Sequence, residues 1–207
     1  MADGQTQALQ STVDRISPEL LEQIRHELRA EILQQVRDEL ARQRAERPRR
    51  LALVASKGSL DMAYPPLIMA STAVSLGWEV GIFCTFYGLD IVNRQKLPYL
   101  KVSPVGNPAM PAPISQIPVH VPNIVGMLPG MTELATKVMQ SWMDRANMLP
   151  LKDMIDVTLE GGGHFFACAT SMGVMNVKKE DLIDGVEMLG ATAFLEFASE
   201  ADVALFI

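Results

Sequence analysis

The sequence predicts an α/β fold: a parallel sheet of about five strands flanked by helices, preceded by a long N-terminal helical arm. Three observations carry this. Short apolar runs of strand length recur, as in Leu51-Ala52-Leu53-Val54-Ala55-Ser56 and Trp78-Glu79-Val80-Gly81-Ile82-Phe83-Cys84. Stretches of helical length lie between them, and such alternation implies a parallel sheet covered on both faces. Ahead of all this, residues 18–46 place apolar side chains every four positions on an otherwise polar stretch.

Taken in order, residues 1–17 are polar and read as a frayed end. Ser17-Pro18-Glu19 is a helix start, with serine as N-cap and proline at the first helical position. Leu20, Ile24, Leu28, Ile32, Val36 and Leu40 follow, with Leu21 and Leu33 beside them. A spacing of four slightly exceeds one turn, so the stripe drifts around the helix. The helix is expected to end near Glu46, before Arg47-Pro48. A narrow apolar stripe on a long polar helix seeks a partner, either another helix or its own domain. Residues 1–50 are thus expected to form an oligomerisation arm. They hold nine acids and nine bases, so the net charge of −6 belongs to residues 51–207.

The α/β domain is expected over residues 51–207. After the first strand, Lys57-Gly58-Ser59 turns the chain, and Ser59 or Asp61 caps a helix that Gly77 ends. The strand ending at Cys84 completes a βαβ unit. Residues 101–130 then interrupt the pattern with seven prolines, which forbid a regular interior element. A loop of that length is expected to be a lid or a mobile segment, and its apolar members Met110, Ile114, Ile117, Val119, Ile124 and Met127 suit packing on the domain, another subunit or a partner, or, in a scaffold reading, on a membrane surface. Helices are expected over 132–146 and 151–160. Next come a strand ending at Cys168, a short helix over 178–183, a strand over 185–189, a helix over 191–200 and a strand over 203–207.

Composition narrows the functions. The chain has 207 residues, 48% hydrophobic and 20% charged, which suits a well-buried core. A net charge of −6 argues against nucleic acid as the main partner. The two cysteines, Cys84 and Cys168, make no framework and no CxxC pair, which points to free thiols in a reducing cytoplasm. No basic and apolar leader opens the sequence, and the charge-free stretches 62–78 and 102–132 are too rich in proline or polar residues to read as membrane spans. There is no P-loop, GxGxxG or HExxH, and the three histidines lie in separate segments, so neither a metal nor a cofactor is expected.

The chemistry is expected at Gly161-Gly162-Gly163-His164-Phe165-Phe166-Ala167-Cys168-Ala169-Thr170-Ser171, a buried strand that ends in a cysteine before a turn into a helix. There the thiol is expected to face solvent while the sheet holds its backbone, and the free N–H groups of the following segment favour a thiolate. The plain alternative is that Cys168 is a small buried hydrophobe. Cys84, within Ile82-Phe83-Cys84-Thr85-Phe86, is a second candidate thiol or simple core. Lys57, Gly58 and Ser59 at the first strand's exit, with Thr170 and Ser171, form the candidate substrate-binding set. His164 shares a strand face with Cys168 but stands two strand repeats away, roughly 13 Å, too far for direct base catalysis.

Several of these stretches together resemble the DsrE/DsrF-like family: Leu53-Val54-Ala55-Ser56-Lys57-Gly58-Ser59-Leu60-Asp61-Met62-Ala63-Tyr64-Pro65-Pro66, Phe86-Tyr87-Gly88-Leu89, Lys101-Val102-Ser103-Pro104-Val105-Gly106-Asn107-Pro108, Leu128-Pro129-Gly130-Met131 and Asp181-Leu182-Ile183-Asp184-Gly185-Val186-Glu187. They are most similar to its longer branch, sometimes labelled peroxiredoxin-like. The resemblance covers about residues 51–207 and implies a flavodoxin-like parallel sheet in a homo-oligomer. It further implies a sulfurtransferase or sulfur carrier of sulfur metabolism, with a persulfide or thiosulfate held on a strand-end cysteine, which maps onto Cys168. The implied partner is a carrier protein of the TusA type. Cys84 stands where other members have phenylalanine, and the arm has no counterpart in the core family. Two rival readings stand beside this one: a non-enzymatic scaffold built on the arm and the Pro-rich loop, and a thiol peroxidase using Cys84 as its oxidation partner.

Overall fold

The computed structural model describes residues 17–103 and 128–207, so most of the Pro-rich loop lies outside the described residues, as do residues 1–16. The chain divides into two compact units, Met1–Arg47 and Pro48–Ile207. In the first, helix α1 runs over Pro18–Glu46. The Ser17 hydroxyl accepts the Leu20 N–H at 3.2 Å, and Pro18, with no N–H to satisfy, fits the first turn. Arg47, in extended backbone before Pro48, stops the helix. The large apolar side chains of α1 are exposed, and its charges form exposed pairs such as Arg25–Glu22 and Arg42–Glu39.

The second unit is an α/β domain with a five-stranded, wholly parallel sheet. Its elements are β1 (Arg50–Ala55), α2 (Leu60–Ser75), β2 (Glu79–Cys84), α3 (Met131–Arg145), α4 (Leu151–Glu160), β3 (His164–Cys168), α5 (Ala169–Met175), β4 (Val186–Leu189), α6 (Ala191–Ser199) and β5 (Val203–Phe206). The order is β4-β3-β2-β1-β5. It differs from the flavodoxin order 2-1-3-4-5 because β1 to β4 wind one way and only β5 returns to the far side of β1.

The two faces of the sheet are unequal. Leu51, Leu53, Val80, Ile82, Phe165 and Ala167 face a large cluster covered by α2 and α4. Ala52, Phe83, Phe166 and Cys168 face a smaller one closed by Phe194 and Phe197 of α6. Phe83 stacks on Phe194 with centroids 4.6 Å apart. At the amino edge Arg50 ties strands to helix: its guanidinium meets Glu79 at 2.8 Å and Glu200 at 2.7 Å and lies over the Phe197 ring.

At the carboxyl edge a 3-10 helix, Phe86–Val92, folds back over the strand ends. Gly88 is required there, since a Cβ would run into the Ala55 carbonyl. Two expected boundaries shift. Trp78 stays outside β2 because its N–H bonds back to Ala73 at 3.0 Å and closes α2. The helix expected over 178–183 is a single 3-10 turn, Lys179–Asp181. Leu182 instead bridges Asn93, and Ile183 donates its N–H to Val92 at 2.9 Å, so a longer helix loses its backbone partners. No described helix is long and apolar enough to cross a membrane.

Phe165 is fully buried at the centre of the large cluster. Phe165→Ala is expected to cost about 3 to 5 kcal/mol by cavity formation, read as a lower urea midpoint with an unchanged slope.

Candidate functional site

The site begins with the glycines before β3. Gly162 turns the chain at φ +83°, and Gly163 lies so close to Thr158 and Val74 that a side chain would not fit. The strand therefore starts directly against α2 and α4. Alternation does the rest: His164, Phe166 and Cys168 point to one face, Phe165 and Ala167 to the other. His164 stacks on Phe166 at 5.9 Å and lies 3.5 Å from Glu187, at the opposite end of the strand from the sulfur.

Cys168 is the last residue of β3 and the N-cap of α5. Its register partner across the edge is Leu189, the last residue of β4. The chain leaving β3 packs Met172 into the large cluster, whereas the chain leaving β4 packs Phe194 into the small one. Cys168 thus sits where successive crossovers part to opposite faces, the position at which open α/β sheets bind ligands.

Cys168 is buried, 5% exposed, and does not face solvent as expected, because Phe83, Phe166 and Phe194 pack around it in the small cluster. Burial pushes its pKa up, but the nearby Ser171 hydroxyl and N–H, Thr85 hydroxyl and Thr170 N–H outweigh it and hold the thiol below its usual range, although Cys168 caps α5 without a side-chain cap hydrogen bond. Ser171, 2% exposed, and Thr85 are hydrogen-bonded to each other with oxygens 2.8 Å apart, so one hydroxyl spends its proton on the other and one is left to face the sulfur. Thr85 is fixed at the rim by its N–H, which donates to the Ala55 carbonyl at 2.9 Å. The next residue, Phe86, is exposed and adopts φ +46°. A non-glycine residue in that region carries strain of about 1 to 3 kcal/mol, a feature common at functional turns.

Of the expected site residues, Cys168, Thr170 and Ser171 come together, and Thr85 joins them. The other candidates do not. Cys84 is 0% exposed, and burial pushes its pKa up to about 12. Its register partner is Ala167, so it points to the face opposite Cys168. A sulfur relay or disulfide between the two would have to cross the sheet. Lys57 is exposed at the exit of β1, two strands from β3 and therefore roughly 10 Å away across the sheet. Gly58 packs under Tyr87 and Asp90, and the Ser59 carbonyl accepts the N–H groups of Met62 and Ala63. All the groups that lower the Cys168 pKa are neutral. Thr85 was legible as the residue after a strand, but its meeting with α5 depends on β2 and β3 being neighbours.

A family model described as the DsrE/DsrF/DrsH-like family matches residues 47–206. The chain belongs to this family. Among DsrE-like relatives, the sulfur carrier protein DsrE2 of Allochromatium vinosum is 42% identical over 159 residues, covering 77% of this chain and 98% of that protein. The uncharacterized protein YrkE of Bacillus subtilis is 28% identical over 165 residues, covering 78% of this chain and 99% of that one. The crystal structure of the YchN protein from E. coli matches with a TM-score of 0.47 at 12% identity, over 77% of this chain and 99% of that one. The fold assignment rests on the strand order itself. The family match begins at residue 47, so α1 lies outside it.

Thr85→Val removes one donor and is expected to raise the Cys168 pKa. The pH at which Cys168 is half-alkylated by iodoacetamide in the native protein then moves up, and Thr85→Ser leaves it in place. Cys84 is expected to resist alkylation until the protein unfolds.

Proposed function

We propose that this protein is a sulfur carrier that holds sulfane sulfur or thiosulfate on Cys168 and passes it to a partner thiol. The observation that carries the reading is the buried Cys168 sulfur at the parting of two crossovers, surrounded by donors that favour its anion. The 42% identity to a sulfur carrier supports it.

In the loading step the Cys168 thiolate attacks the outer divalent sulfur of a hydropersulfide, R–S–SH, or, for the thiosulfate cargo, of an S-thiosulfonate, R–S–S–SO₃⁻. A new S–S bond forms, the old one breaks, and RS⁻ leaves with the electron pair. Delivery is the reverse: a partner thiolate takes the outer sulfur and Cys168 departs as thiolate. No oxidant is consumed, because the sulfane sulfur moves without change of oxidation state. The donors from Thr85, Thr170 and Ser171 serve both ends of this exchange, as they favour the thiolate that attacks and the thiolate that leaves. A small carrier protein of the TusA type, whose cysteine reaches the carboxyl edge of the sheet, is the partner we assign, and a reducing cytoplasm suits two free thiols. The peroxidase alternative is disfavoured by Cys84 pointing to the other face.

After incubation with inorganic polysulfide, intact-mass measurement is expected to find added sulfur of about 32 Da per atom on the wild type and on Cys84→Ser, and none on Cys168→Ser. Loading that persists in Cys168→Ser sinks the assignment.

A further inference from the structure

Helix α1 is built from a repeated unit. Glu19–Ala30 reads ELLEQIRHELRA and Glu31–Arg42 reads EILQQVRDELAR, with six of twelve positions identical. In the first unit Leu20, Leu21, Ile24 and Leu28 fall within about 100° of one another on the helix. In the second, Ile32, Leu33, Val36 and Leu40 do the same. Twelve residues are three and a third turns, so the second face is rotated by about 120° from the first. All eight side chains are exposed, between 39% and 56%.

Each face has the same charged edges. Arg25 and Arg37 flank the two faces on one side, Glu27 and Glu39 on the other. When two such helices lie parallel, a two-fold axis along them sets the arginine edge of one against the glutamate edge of the other. Antiparallel, like charges would meet. The pairs now made on α1, Arg25–Glu22 at 2.5 Å and Arg42–Glu39 at 2.8 Å, are exposed and exchange for interhelical ones at little cost.

We propose that α1 is a self-assembly element on which the arms of two further copies of this chain dock in parallel, one on each face, with arginine edges on glutamate edges. A repeated face calls for a partner that carries the same face twice, and another copy of the arm does. Helix α1 holds seven acids and five bases, a net charge of −2, so copies are only weakly driven apart there. A mildly acidic surface of mixed sign gives an anionic membrane or nucleic acid no handle. Because the faces diverge by about 120°, one straight pair covers only one of them, and the assembly exceeds two chains.

The test is sedimentation velocity of the full-length chain across a concentration series. The wild type is expected to form species larger than a dimer. Arg25→Glu with Arg37→Glu sets acid against acid and is expected to raise the half-assembly concentration about tenfold, and Glu27→Arg with Glu39→Arg is expected to do the same. Combining all four substitutions exchanges the edges and is expected to restore assembly to within about threefold. Far-ultraviolet circular dichroism and the domain's thermal midpoint check that helix and domain persist. The proposal is overturned if the wild type is no larger than a dimer, if either double variant assembles like the wild type, or if the fourfold variant stays dissociated with its helix intact. Binding of wild-type monomer to phosphatidylglycerol vesicles without self-association overturns it as well.

Discussion

Parallel strands are joined by right-handed crossovers, and this one constraint organises the domain. From β1 to β4 the chain steps in one direction, so its crossovers fall on one face and build the large cluster with Leu67, Met154 and Met172. From β4 the chain must return past β1, so α6 falls on the other face and closes the small cluster with Phe194 and Phe197. The reversal opens the sheet edge between β3 and β4. Cys168 is the residue that stands there. Its position is therefore a consequence of topology as much as of local sequence.

The two cysteines show how far environment outweighs residue type. Both end a parallel strand on the same edge, and their strands are neighbours. Cys84 meets only burial, which disfavours the anion, and its proton is held firmly. Cys168 meets burial too, but hydroxyl and N–H donors from β2's exit and from α5 converge on it. The deciding difference is a single step of register, because neighbouring positions on a strand face opposite ways. Both thiols enter apolar clusters, but only that of Cys168 is bordered by hydroxyl and N–H groups.

The arm and the domain obey different physics. The domain buries its apolar residues within itself, around strands that read as continuous hydrophobic runs. The arm exposes nearly all of its own and carries charges of both signs along its length. Its apolar residues recur every four positions instead of the roughly 3.5 that keeps a coiled-coil seam on one side, which is why its apolar surface turns by about 120° from the first unit to the second. The family match leaves this element out, so its properties come from its own sequence.

Much of the fold was legible in the residues. Ser17-Pro18 marked the start of α1, Gly77 the end of α2, and the apolar runs the five strands, because capping, left-handed turns and burial are local or periodic properties. Cys168, Thr170 and Ser171 were legible as one group because they are adjacent in sequence. What the sequence could not decide was which strands are neighbours and which face each residue takes. Those depend on the order β4-β3-β2-β1-β5 and on register, which long-range hydrogen bonds set. They brought Thr85 to the sulfur from 83 positions away, turned Cys84 to the opposite face, and left Lys57 two strands distant. Sequence determined which segments form elements and which thiols stand at strand ends; tertiary structure alone decided which residues meet, because pairing across a sheet joins residues whose separation along the chain bears no relation to their separation in space.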